Sequence, residues 1–130
     1  MEAFFIAILA FFLFLFGMQF VIKFRGRRLR GKPIPEVGGK LGTAIRKHPT
    51  VIAYFYSPSC SACRTQEKYL PKVQEVFPHI VRINVRNDMA TAQKFQVMGT
   101  PTTVIIENGR IKEYFVGVVS PRDLLRAVQG

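Results

Sequence analysis

Cys60 and Cys63 are the only cysteines in the 130-residue chain, and they stand directly after the helix-breaking run Ser57-Pro58-Ser59, where a helical pattern begins. A helix's first turn presents unpaired backbone N–H groups and the positive end of its dipole. Both stabilise a thiolate, and the thiolate is the nucleophile in disulfide exchange. Cys60, the more exposed N-terminal member, is expected to attack. Cys63, one turn in, is expected to resolve the mixed disulfide by attacking the sulfur of Cys60 and freeing the substrate thiol. A structural disulfide is a poorer use of the pair, because cysteines so close in sequence close almost no loop. A zinc site would need His48 and His79 to join them, since structural zinc takes four ligands, yet both histidines lie beside prolines in apparent surface loops. The expectation is therefore no metal and no organic cofactor, with redox equivalents held in a Cys60–Cys63 disulfide.

The elements that must hold this pair are legible on both sides of it. Val51–Tyr56 is a compact run of β-branched and aromatic residues, the pattern of a buried central strand. A helix follows from about Cys60 to Phe77, with Leu70, Val73, Val76 and Phe77 as its apolar stripe and Pro71 expected to bend it. Upstream, Leu41–Lys47 reads as a short helix closed by His48-Pro49. Downstream, Ile80–Val85 reads as a strand and Met89–Phe95 as a short helix. Thr102–Ile106 and Ile111–Val116 flank Asn108-Gly109, a hairpin signal because both residues tolerate positive φ. Ser120-Pro121-Arg122-Asp123 starts a last helix with a capping hydroxyl, proline at the first position and an acid at the third, carrying Leu124, Leu125 and Val128 inward. This order predicts an α/β sheet with helices on both faces.

With these elements in place, the chain resembles the thioredoxin family over roughly Val51–Val128. Tyr54-Phe55-Tyr56-Ser57-Pro58-Ser59-Cys60-Ser61-Ala62-Cys63 is similar to that family's strand and active-site loop, and Gln93–Thr102 to its substrate-binding loop. Asn108-Gly109 and Gly117 fall where the family keeps a hairpin turn and a glycine near the active site. The resemblance implies a thioredoxin fold, a central mixed β-sheet flanked by helices. It further implies a cis Pro101 against the cysteine pair, the Thr100 backbone pairing with an extended substrate, and Ser59, Gly99 and Gly117 bordering the substrate site. Four departures stand out. Ser59 replaces an aromatic residue in a chain without tryptophan, Tyr54 occupies the place of a buried acid, and Ser61-Ala62 replaces Gly-Pro. The family's helix proline position holds Lys68, with Pro71 one turn later.

Ala3–Ile22 is almost purely apolar, relieved only by Gly17 and Gln19, and about 20 such residues suffice to cross a bilayer. It lacks the charged leading region and small-residue cut site of a cleavable signal peptide, and the remaining residues are too few to wrap it as a core helix. Lys23, Arg25, Arg27, Arg28, Arg30 and Lys32 follow directly, within a formal net charge of +11. Basic residues flanking a span are retained inside, so a single-pass membrane protein with a cytoplasmic domain is expected. Anionic headgroups suit this cluster better than nucleic acid, because no binding module accompanies it.

The expected organisation is an anchor at 1–24, a basic Pro/Gly linker at 25–39 and a thioredoxin-like domain at 40–130. The expected function is a membrane-anchored thiol:disulfide oxidoreductase, with protein thiols and disulfides as substrates and an unidentified electron donor or acceptor. The alternatives are a tethered binding or assembly module with secondary redox activity, and an extracytoplasmic exchanger.

Overall fold

In a computed structural model the described residues are 1–129; Gly130 lies outside them, as do the side chains of residues 22–28, and with those Lys23, Arg25, Arg27 and Arg28 of the basic cluster. The chain runs α1 (Glu2–Leu29), α2 (Gly39–Lys47), β1 (Thr50–Tyr56), α3 (Ser61–Val76), β2 (Ile80–Asn84), α4 (Met89–Lys94), β3 (Thr102–Glu107), β4 (Arg110–Val116) and α5 (Pro121–Gln129). The four strands form one mixed sheet in the order β2-β1-β3-β4. β1 pairs parallel with β2 through the α3 crossover and antiparallel with β3. β3 and β4 form the expected hairpin, with Asn108 at φ 52° and Gly109 at φ 75° in its turn.

Period-two alternation along β1 builds two cores. Val51, Ala53 and Phe55 face a layer that includes Leu41, Ala92, Phe95 and Val104, whereas Ile52 and Tyr54 face Leu70, Val73, Ile105 and Leu124. Helices α2 and α4 thus cover one face and α3 and α5 the other. The last helix starts as its sequence requires, with Ser120 Oγ accepting the Asp123 N–H at 3.2 Å. Helix α3 continues through Pro71 to Val76.

The N-terminal region differs from a simple anchor and linker. Helix α1 does not stop at residue 24 but runs to Leu29, which is buried in the core layer that also holds Ile111 and Tyr114. After a turn at Gly31 (φ 78°), residues 31–34 lie alongside β4. Gly31 N–H donates to Ile111 O at 2.7 Å, Ile111 N–H to Lys32 O at 2.9 Å, and Ile34 N–H to Gly109 O at 3.0 Å. The reason is the edge strand: β4 would otherwise present unpaired N–H and C=O groups, and a segment holding Pro33 can bridge its edge without extending a full ladder. The window Glu2–Val21 within α1 is long and apolar enough to cross a membrane and is not buried against the rest of the chain.

Candidate active site

Strand β1 delivers the chain into Ser57-Pro58-Ser59, and Cys60 is the N-cap of α3. Its sulfur takes the role a serine oxygen usually fills, accepting the Cys63 N–H at 3.1 Å. Across the site the Cys60 thiol donates to Thr100 O at 3.3 Å. The Thr100–Pro101 peptide is cis, and Pro101 O accepts the Gly117 N–H at 2.8 Å, with Gly117 at φ 95° where a side chain would be strained. Thr102 Oγ1 closes the turn by donating to Gly99 O at 2.6 Å. Ser59 is exposed beside Cys60. The expected residues Ser59, Cys60, Cys63, Gly99, Thr100, Pro101 and Gly117 therefore meet at one end of the sheet. Cys60 is half-buried and Cys63 only 4% exposed.

The two thiols sit in opposite electrostatic circumstances. Burial pushes the Cys60 thiol up, but hydrogen bonds from the Cys63 and Thr100 side chains and from the Cys63 and Ala62 backbones outweigh it, so its pKa is lowered. Burial pushes the Cys63 thiol up and hydrogen bonding to Cys60 adds to it, leaving its pKa raised. Tyr54 is fully buried beneath the pair and its hydroxyl donates to Cys63 O at 3.3 Å. Burial first, then the nearby Cys63 and Glu67, raises its pKa, so the phenol remains a proton-bearing donor. Chemically, the pair can form a thiolate at Cys60 while Cys63 holds its proton in reserve.

The family profile described as Thioredoxin matches residues 37–130. The chain belongs to the thioredoxin family. It is 37% identical over 76 residues to Thioredoxin 2 of Plasmodium berghei (strain Anka), covering 54% of this chain and 48% of that protein. It is 30% identical over 79 residues to Thioredoxin of Bacillus subtilis (strain 168), covering 58% and 75%. Among solved structures, a mutant thioredoxin from Halobacterium salinarum superposes with a TM-score of 0.66 at 25% identity, covering 75% of this chain and 88% of that one. The chain spans about half the length of the Plasmodium relatives, 48% and 55%.

Three side chains that hold the thioredoxin site together are absent from the motif reading. Gln66, fully buried on α3, donates to Val119 O at 3.0 Å and accepts the Val119 N–H at 2.7 Å, clasping α3 to the segment between Gly117 and α5. Its signal was present, since Gln66 stands at helical spacing with Leu70 and Val73 on the buried stripe. Tyr114 on β4 donates to the carbonyls of Phe95 and Gln96 at 2.8 and 3.1 Å, fixing the turn after α4, and burial pushes its pKa up to about 12. Arg86 donates to Ser59 Oγ at 2.9 Å from 27 residues away, a contact with no sequence signal.

His48 and His79 do not approach the cysteines. They are half-buried, not loop-exposed, and stack on each other with ring centroids 3.6 Å apart, before β1 and β2 at the opposite end of the sheet. Among the described residues no three potential metal-ligating side chains gather at one point.

Proposed function

We propose that the chain is a membrane-anchored thiol:disulfide oxidoreductase that exchanges disulfides with protein substrates. The observation that carries this reading is the placement of one hydrogen-bonded pair, with Cys60 as the half-buried N-cap of α3 against the cis Thr100–Pro101 peptide and Cys63 buried one turn in. The Cys60 thiolate attacks one sulfur of a substrate disulfide, forming a mixed disulfide and expelling one substrate thiolate, which takes up a proton. Cys63 loses its proton as it attacks Cys60 Sγ, forming the Cys60–Cys63 disulfide and expelling the second substrate thiolate. Two electrons pass to the substrate, and a partner dithiol restores the pair; run backward, the same steps oxidise a substrate. The backbone of Thr100, beside Pro101, Gly99, Ser59 and Gly117, borders the space an extended substrate would occupy. No organic cofactor or metal enters these steps. The apolar window Glu2–Val21 of helix α1 supplies the anchor, and the basic residues that follow this window favour a cytoplasmic domain.

The test is insulin reduction by the full chain in detergent with dithiothreitol as electron source. Catalysis should vanish in Cys60→Ser, while Cys63→Ser should accumulate substrate as a mixed disulfide on Cys60. Undiminished turnover by Cys60→Ser would remove the reading.

A further inference from the structure

The residue before the proposed nucleophile is gripped from another loop. Arg86 donates to Ser59 Oγ at 2.9 Å, and Ser59 Oγ lies 3.3 Å from Ser57 Oγ. The Arg86 backbone is itself fixed, because its N–H donates to Asn84 Oδ1 at 3.0 Å and the preceding Val85 N–H donates to Tyr56 O at 2.9 Å. Parallel pairing explains the meeting: Tyr56 stands opposite Asn84, so the loops leaving β1 and β2 emerge side by side.

A guanidinium is a cation with five N–H donors in a planar fork. Among the described residues no carboxylate pairs with that of Arg86; the ion pairs join Arg30 with Glu113, Arg82 with Glu67 and Lys112 with Glu107. Arg86 is exposed, and its bond to Ser59 leaves other donors of the fork unused. An oriented, unneutralised cation thus stands one residue from Cys60.

We infer that Arg86, held by Ser59, is a specificity-determining residue that favours protein disulfides flanked by a carboxylate side chain. This rests on the proposed exchange at Cys60. A substrate sulfur joined to Cys60 carries its neighbouring residues past Ser59, since consecutive Cα atoms lie only about 3.8 Å apart. The fork can then take a carboxylate through charge-assisted hydrogen bonds. Because Ser59 already restrains the long side chain, less rotamer freedom is lost on binding. The same charge repels lysine- or arginine-flanked disulfides, so discrimination has both an attractive and a repulsive component.

The test uses the reduced full chain in detergent and three peptide disulfides that differ only in carrying Glu, Gln or Lys beside the cysteine. The wild type should reduce the Glu peptide about three- to fivefold faster than the Gln peptide, the size an exposed charge pair supplies, and the Lys peptide slowest. Added salt should shrink these ratios. Arg86→Gln should bring the Glu-to-Gln ratio to about one, Arg86→Glu should invert the order, and Ser59→Ala should lower the ratio with the cation still present. A wild-type ratio of one, or a ratio unmoved by Arg86→Gln, overturns the role of Arg86. Failure to reduce any of the three peptides overturns the oxidoreductase reading beneath it.

Discussion

A sulfur that accepts backbone N–H groups at a helix N-cap and a thiol hidden one turn further along do not ionise together. Cys60 has its thiolate stabilised by donors already in place, whereas removing the Cys63 proton would leave charge in a nearly dry site beside another sulfur. Tyr54 touches this inner residue through a carbonyl and stays a donor, so it orders the first turn of α3 without acting as a base. The sign of the pH dependence follows. A lowered pKa makes the Cys60 thiolate fraction climb as pH rises and saturate before a free thiol, with its pKa of about 8.5, would do so. Iodoacetamide alkylation of the reduced chain, mapped by mass spectrometry across pH, should therefore plateau early and fall on Cys60. Cys63→Ala removes a side-chain hydrogen bond that lowers the Cys60 pKa, so its midpoint should move upward. A midpoint at or above that of a free thiol, or adducts on Cys63 first, would contradict the assignment.

One turn beyond the cysteines, α3 is tied to the rest of the site by an amide. Gln66 satisfies both backbone groups of Val119, and Val119 leads back through Val118 to Gly117, whose N–H reaches Pro101 O. Truncation would leave a buried N–H and C=O without partners. Gln66→Ala is therefore expected to cost about 2–4 kcal/mol, read as a lower urea midpoint for the full chain in detergent. Gln66→Met keeps most of the volume and loses the hydrogen bonds; a wild-type midpoint for it would show that packing, not the clasp, holds the elements. How legible these elements were in the sequence depended on how local their signals are. The strands, the Asn108-Gly109 turn, the Ser120 cap and the helix entered at Cys60 are each specified by neighbouring residues, and so was the gathering of cysteines at a strand-to-helix junction. Gln66 carried a local signal, a polar residue on an apolar stripe, that a motif reading passes over. The Arg86 contact with Ser59 and the pairing of residues 31–34 with β4 arise only when strands distant in sequence lie side by side. The Pro/Gly composition of that segment speaks against helix but does not reveal the edge that uses it.

The join between α1 and the sheet sets how the molecule presents its site. Leu29 is embedded in the core, Arg30 pairs with Glu113, and residues 31–34 are hydrogen-bonded along β4. The thioredoxin domain therefore hangs from the helix by an ordered connection, without a free tether at that point. Residues 31–34 run antiparallel to β4, so tracing them back toward α1 leads along β4 toward Gly117 and the cysteine end of the sheet. With a rise of about 3.4 Å per residue, the four steps from Glu113 to Gly117 span roughly 14 Å. Arg30, paired with Glu113, thus lies along the strand that leads to Gly117 at the site. If that helix spans a bilayer, Lys23, Arg25, Arg27, Arg28, Arg30 and Lys32 oppose translocation of everything beyond them, and anionic lipid on the cytoplasmic leaflet attracts them at about 1 kcal/mol per side chain. The domain is then expected to face the cytoplasm and to meet its substrates close to the membrane surface. A membrane-impermeant maleimide applied to intact cells should leave Cys60 unlabelled, and the same reagent after lysis should modify it. Labelling without lysis would reverse the orientation and require that electrons reach the pair from the outer side of the membrane.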